Sequence, residues 1–316
     1  MTILRAEHLG MCFGVRDAIA LAHAEAARQP VTVLGDLVHN DTVLADLRSR
    51  GVRLERDLGS VRTDAVIITA HGTSDRHRAE VRARGHRLLE ATCPLVHFAH
   101  RSLAGLVARG LHPVVIGQRD HVEVRGLTGD FPQADVVLGE SEIDALSERP
   151  AFGVVSQTTQ PIARVRELVA HLRRRFPASE VVFRDTVCQP TKQRQSAAEE
   201  LARQCDVVIV IGGAHSNNTR QLVATCGRFC DRVHHVQTAG DLDPAWFQAE
   251  DAVGLTAGTS TPDSTIQAVE AALKRLERGA LNRESQTPLA TQRVAVPDDD
   301  SGDLMRQLAP LQSLLR

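Results

Sequence analysis

Cys12, Cys93 and Cys188 are the residues of this chain whose placement most plainly invites chemistry, because each opens a similar stretch of sequence. After each come an amphipathic run, a short apolar run of strand character and a polar loop. The polar loops fall at His39, His121 and Ser216, offsets of 27, 28 and 28 residues from the cysteines. A second apolar run and polar loop follow in each copy, at His71, Thr158 and Ser260. Identity between the copies is low, yet spacing and residue class persist, the signature of repeated supersecondary units. Three copies of one unit should bring three thiols and six polar loops to a common centre. That arrangement suits a metal cluster facing a small polar ligand.

The thiols themselves narrow the choice. Thiolates favour zinc and iron–sulfur centres. A structural zinc site usually takes four ligands as two close pairs, and the chain has no Cys-x-x-Cys. A catalytic zinc with three thiolates and no histidine is an uncommon set. An iron–sulfur cubane normally takes four cysteines, so three leave one iron without a protein ligand, free to act as a Lewis acid on a substrate oxygen. The remaining cysteines, Cys205, Cys226 and Cys230, read as small core residues.

The loops offer His39, His71, His121, Thr158, Thr159, Ser216, Asn218 and Ser260, neutral or weakly basic donors of short and long reach. Such a set can wrap a phosphate or diphosphate without lysine, aided by backbone N–H groups at helix N-termini. Glu123 lies two residues from His121, and in a desolvated anionic pocket its carboxyl would hold a proton and could deliver it. The plainer role for Glu123 is an ion pair with Arg119 or Arg125. Asp41 and Asp120 are weaker acid candidates, and His215 stands beside the ligand loop without an assigned role.

Elements able to position these groups follow from pattern. Helical spacing runs from Val15 to Arg28, Thr42 to Arg50, Cys93-Pro94 through Val107, Thr191 to Gln204 and roughly Thr265 to Arg278. Short, continuous apolar runs end at Leu34, Ile68, Ile116, Val155, Ile211 and Leu255, each just before a polar loop. Alternation of such strands with helices implies a parallel sheet buried on both faces, with ligands beyond the carboxyl ends of the strands. The expected class is therefore α/β, with lobes at 1–92, 93–187 and 188–279 and a poorly ordered tail at 280–316.

The 316 residues carry a formal charge of −2, which gives no support for non-specific nucleic-acid binding. No uninterrupted apolar segment is long enough to cross a bilayer. The opening Met-Thr-Ile-Leu-Arg-Ala-Glu-His lacks the apolar core of a signal peptide. A reducing cytoplasm is the expected compartment, where thiols stay reduced or bind metal. No Gly-x-Gly-x-x-Gly or Gly-Lys-Ser/Thr loop occurs, so electrons for a redox reaction would come from another protein. The arginine-rich segments Arg76 to Arg87 and Arg164 to Arg175 could receive an acidic carrier, although a solvated helix face explains each as well.

Taken in order, Gly10-Met11-Cys12-Phe13-Gly14-Val15, Val38-His39-Asn40, Ala70-His71-Gly72, Ala91-Thr92-Cys93-Pro94, His121-Val122-Glu123, Gln157-Thr158-Thr159, Cys188, Ser216 with Asn218, and Ala257-Gly258-Thr259-Ser260-Thr261-Pro262-Asp263 resemble the LytB/IspH family of 4-hydroxy-3-methylbut-2-enyl diphosphate reductases, across about residues 1 to 280. The resemblance implies a trefoil of three pseudo-threefold-related α/β lobes around a 4Fe–4S cluster held by Cys12, Cys93 and Cys188, with one open iron. It implies that His39, His71, His121, Thr159, Ser216, Asn217, Asn218 and Ser260 grip the diphosphate, and that Glu123 and Thr158 form the proton relay. It implies reduction of the allylic alcohol to isopentenyl and dimethylallyl diphosphate, the last step of the non-mevalonate (methylerythritol phosphate) isoprenoid route. A ferredoxin or flavodoxin would supply the electrons. The other readings are an iron–sulfur hydro-lyase and a non-catalytic cluster protein that binds a diphosphate. The chain departs from the family pattern at Met11, at Asp17, expected to reverse a charge near the cluster, at Asp120 and Val122 around His121, and at His215 and Asn217.

Overall fold

The computed structural model describes residues 1–284. Three four-stranded, all-parallel sheets carry the architecture. The first lobe contains α1 (Phe13–Ala26), β2 (Val31–Leu34), α2 (Asp41–Ser49), β3 (Arg53–Glu55), β4 (Ala65–Ile68), α3 (Asp75–Ala83) and β5 (Arg87–Glu90), after an opening strand β1 (Thr2–Arg5). The second contains α4 (Pro94–Ala108), β6 (His112–Ile116), α5 (Val122–Thr128), β7 (Asp135–Val137), α6 (Glu140–Asp144), β8 (Ala151–Ser156), α7 (Ile162–Arg175) and β9 (Glu180–Phe183). The third contains α8 (Gln189–Ala202), β10 (Val207–Ile211), α9 (Asn217–Cys226), β11 (Val233–Val236), β12 (Ala252–Ala257) and α10 (Asp263–Glu284).

The strand orders reveal the repeat. They are β3-β2-β4-β5, β7-β6-β8-β9 and, read from the other end, β11-β10-β12-β1. The opening strand thus completes the third sheet, with Thr2 to Arg5 in register with Ala252 to Leu255. In every sheet the fourth strand leads straight to a cysteine: β1 to Cys12, β5 to Cys93 and β9 to Cys188. The sequence pattern locates the two central strands of each sheet but not these edges. The reason is physical: central strands such as β4 (Ala-Val-Ile-Ile) and β10 (Val-Val-Ile-Val-Ile) are buried throughout, whereas β1, β5 and β9 carry polar ends and are only half-buried.

Each sheet packs its own core. Val33, Leu47 and Ile67 anchor the first, Phe152, Leu168 and Leu172 the second, and Ile209, Leu255 and Leu273 the third, all essentially inaccessible. Fully burying a side chain of this size stabilises the fold by roughly 1.5–3 kcal/mol, so each lobe is a stiff platform for the loops at its strand ends. The last helix runs from Asp263 to Glu284, beyond the expected end near Arg278. The tail expected to be poorly ordered falls, from 285 onward, outside the described residues. No helix of the described residues is long and apolar enough to cross a membrane.

Candidate active site

The three repeat-opening cysteines are held alike. Cys12, Cys93 and Cys188 are the N-caps of α1, α4 and α8, all in non-helical backbone conformation, and none spends its side chain on capping. The N–H of each donates to a carbonyl in the loop after a central strand: Cys93 to Ala70 after β4, Cys188 to Thr158 after β8 and Cys12 to Thr259 after β12, each at 3.0 Å. The second polar loop of one lobe therefore hangs the cysteine that starts the next. Because the third lobe hangs Cys12, the ring closes. Helix N-termini also carry partial positive charge, a favourable setting for thiolates.

All three sulfurs' residues line one cavity. Gly14, the second residue of α1, permits this convergence, since a Cβ there would run into the Cys93 Sγ. Burial pushes the Cys93 thiol up, and the Cys188 thiol up to about 11, although Thr191 Oγ1 lies 3.0 Å from its sulfur. Without a Lewis acid these groups stay protonated; a metal centre would deprotonate them. Among the described residues, His39, His71 and His121 form a trio whose ligand atoms lie within 4.8 Å of one another, and the three thiols do not. A donor set of three soft thiols spread wider than one ion spans fits an iron–sulfur centre better than a single metal ion. By contrast Cys226 and Cys230 are buried in the third lobe and point at backbone carbonyls of Ala198 and Asp206. Cys205 packs beside Gly254. These are core thiols, as their sequence context suggested.

The same cavity brings together His39, His71, His121, Glu123, Thr158, Thr159, Ser216, Asn217, Asn218 and Ser260, the proton-relay pair and all the ligand-gripping residues that the family resemblance implies. His39 and His71 stack with ring centroids 4.2 Å apart, and His121 meets both edge-on at 5.1 and 5.5 Å. Three clustered imidazoles resemble a metal site, but one hydrogen bond argues otherwise. The Glu123 N–H donates to His121 Nδ1 at 3.1 Å, so this nitrogen is the acceptor and the proton sits on Nε2. His121 is thereby set as a donor, the arrangement an anion needs. Burial lowers the pKa of all three rings, that of His121 to about 3 and that of His71 well below the usual value. An incoming anion finds neutral N–H donors whose affinity for a second proton it would raise.

Unpaired buried atoms point the same way. Both side-chain polar atoms of Asn218 and the His71 Nδ1 are buried without a hydrogen-bond partner. Each such group costs roughly 1–3 kcal/mol unless a ligand satisfies it. Loop contacts fix the grip: Ser260 Oγ donates to the His39 carbonyl at 3.2 Å, and Asn217 Nδ2 to Thr159 Oγ1 at 2.9 Å. Gly213 lets the third-lobe loop abut this carbonyl, because a Cβ there would collide with it. His39 and His121 also open on an outer cleft that holds His215, Asp120, Arg125 and Arg220. Asp120 thus lies outside the cysteine cavity, and Asp41 starts α2 at the surface.

Glu123 is 1% exposed, and its pKa is raised to about 7 by burial, against the opposing pull of hydrogen bonds from Thr158. The Thr158 N–H donates to Oε1 at 2.6 Å, and its hydroxyl lies 3.0 Å from Oε2. No ion pair with Arg119 or Arg125 forms: Arg119 donates instead to the Val136 carbonyl. Sequence reasoning missed Arg194, a buried guanidinium whose Nε donates to the Gly10 carbonyl at 2.9 Å and whose Nη1 donates to that of Pro190 at 3.0 Å. It ties the Cys12 loop to the start of α8. Its place in a helix otherwise rich in polar residues gave no signal. Asp17, expected to alter charge beside the cluster, is exposed on α1.

A family model described as LytB protein matches residues 3–274. The chain is 36% identical over 271 residues to a 4-hydroxy-3-methylbut-2-enyl diphosphate reductase of Pelobacter propionicus, covering 85% of this chain and 96% of that protein. It is 35% identical over 281 residues to a reductase of the same name from Neisseria meningitidis, covering 87% of each. Among solved structures, the E-1-hydroxy-2-methyl-but-2-enyl-4-diphosphate reductase of Plasmodium falciparum superposes with a TM-score of 0.81 at 27% identity, covering 86% of this chain and 88% of that one. A structure of (E)-4-hydroxy-3-methyl-but-2-enyl diphosphate reductase, described as the terminal enzyme of the non-mevalonate pathway, matches with a TM-score of 0.64 at 32% identity, over 87% of this chain and 100% of that one.

Proposed function

The chain belongs to the LytB family, and from that premise we propose that it reductively dehydroxylates 4-hydroxy-3-methylbut-2-enyl diphosphate to isopentenyl and dimethylallyl diphosphate, the terminal step of the non-mevalonate pathway. One observation carries the reading: three N-cap cysteines, a histidine trio and a buried carboxyl share a single cavity. Cys12, Cys93 and Cys188 would hold a 4Fe–4S cluster. When bound, that cluster supplies electrons and a Lewis-acidic iron without a protein ligand.

The remaining chemistry belongs to the chain's own residues. His39, His71 and His121, with Ser216, Asn217, Asn218, Thr159 and Ser260, bind the diphosphate and orient the allylic end toward the thiols. Glu123 holds a proton near neutral pH. The Thr158 N–H donates to Oε1 and its hydroxyl donates to Oε2 of the carboxylate; when Glu123 takes its proton on Oε2 the second bond reverses, and the Thr158 hydrogen is free to turn into the cavity. Proton delivery through Thr158 makes the departing hydroxyl a water molecule. Overall, two electrons and two protons are taken up and one water is released. An external carrier such as a ferredoxin or flavodoxin delivers the electrons.

The test is anaerobic turnover with and without a chemical reductant. The proposal expects both isomers to form only with reductant. Complete conversion without it would mean a hydro-lyase, and tight binding without turnover under reducing conditions would mean a non-catalytic cluster protein.

A further inference from the structure

In the two arginine-rich segments that sequence singled out for a carrier, about half of the guanidiniums are committed to neighbours, and the rest are scattered along exposed helix faces. On α3 and β5, Arg78 pairs with Asp75 and Glu90, Arg84 with Glu80 and Arg87 with Glu25. On α7, Arg164 pairs with Glu140 and Glu167, and Arg175 lies over the Phe176 ring. A different surface gathers uncommitted charge in one groove beside an exposed aromatic. Along α4 a groove of about 450 Å³ is lined by Phe98, Arg101, Arg109 and, from the segment after β9, Arg184. Gly105 on this face has nothing within 4 Å of where a Cβ would stand, which leaves the groove open. The three arginines are exposed, and among the described residues none has an ion-pair partner. No carboxylate lines the groove.

Its position ties it to the thiols. Groove elements start or end beside two of the three cysteines: Cys93 caps α4, and Arg184 lies four residues before Cys188. At 1.5 Å of rise per residue, Phe98 stands about 7.5 Å along the helix axis from Cys93 and Arg101 about 12 Å. Phe98 is 45% exposed, and Phe13, next to Cys12, is 47% exposed; they are two of three large apolar side chains so exposed among the described residues. An aromatic with an apolar surround and a cationic rim is the anatomy of a transient protein interface.

We infer that the α4 groove formed by Phe98, Arg101, Arg109 and Arg184 is the docking surface for a small acidic electron-carrier protein. The inference rests on the proposed reduction. Each turnover consumes two electrons and two protons as the substrate's C–O bond breaks and water leaves, so a one-electron carrier must dock twice and depart oxidised each time. A cationic rim without internal partners speeds such repeated encounters and lets the product complex dissociate.

The experiment uses anaerobically purified holoenzyme and a reduced acidic flavodoxin, with reduced methyl viologen as a carrier that needs no docking. Arg101→Glu/Arg184→Glu should raise the KM for flavodoxin on the order of tenfold at low salt and leave viologen-driven turnover unchanged. Phe98→Ala should weaken direct flavodoxin binding, and Arg166→Glu, on the exposed face of α7, should behave as wild type. Equal flavodoxin KM and affinity in the double variant and wild type would overturn the inference, as would equal weakening by Arg166→Glu. A wild-type dimer in sedimentation that the double variant splits would also overturn it, because a second copy would then own the groove. Should wild type fail even with viologen, the proposed reduction fails instead, and flavodoxin binding alone still decides the groove.

Discussion

At the scale of single residues, the account turns on a carboxyl kept protonated. Glu123 ionises near pH 7 rather than near 4.5 because it is buried. A proton donor of this kind is present below that pH and lost above it. Turnover should therefore decline as pH rises through about 7, read from a viologen-driven pH profile. Glu123→Gln should bind substrate normally and lose turnover; near-normal activity would remove the acid role. A second prediction concerns the donors. Replacing His71 by Asn leaves a shorter side chain that no longer reaches the same point, and a lost hydrogen bond to a charged group is worth roughly 1.5–3 kcal/mol. Affinity for inorganic pyrophosphate should fall on the order of tenfold or more while iron content stays at the wild-type level. Unchanged affinity would place the anion elsewhere. The identities of these residues were legible in the sequence, because His, Glu and Thr at strand ends have few other reasons to recur. The tautomer of His121 was not, since it depends on a backbone N–H two residues later.

Among elements, helix starts do the positioning. The N-caps of α2, α5 and α9 are Asn40, His121 and Ser216, each 28 residues after its cysteine. The sequence pattern placed the first loop at His39, one residue early, because histidine draws the eye more than the asparagine whose side chain accepts from the Val43 N–H. Capping chemistry, not side-chain prominence, sets the register. Two substitutions probe this scale. Val122 is the first residue of α5, where no intrahelical bond needs its N–H. Val122→Pro should be tolerated and raise stability by about 0.5–1 kcal/mol through a stiffer unfolded chain, measured by thermal unfolding. A large loss would mean that the loop before Val122 cannot take the backbone proline requires. Gly14→Ala crowds the Cys93 sulfur and should lower iron content while circular dichroism stays unchanged. Full iron occupancy in that variant would contradict the close approach of α1 and α4.

For the molecule as a whole, the sequence disclosed a threefold repeat and two central strands per lobe, since buried parallel strands read as unbroken apolar runs. It concealed how the ring closes. The closing piece is β1, a half-buried strand of four residues whose partner lies 250 positions away, and nothing in Thr-Ile-Leu-Arg announces that pairing. Nor could spacing alone reveal that each cysteine N–H is hung from the preceding lobe's loop. That ring of hydrogen bonds, with Arg194 as an added tie, explains why thiols at positions 12, 93 and 188 meet at all. The decisive measurement is iron and acid-labile sulfide in anaerobically purified wild type and in single serine variants of the six cysteines. About four irons and four sulfides per wild-type chain are expected, with loss in Cys12→Ser, Cys93→Ser and Cys188→Ser and retention in Cys205→Ser, Cys226→Ser and Cys230→Ser. Iron that survives unchanged in any of the first three variants, or a wild type that carries one zinc and no sulfide, would contradict the account.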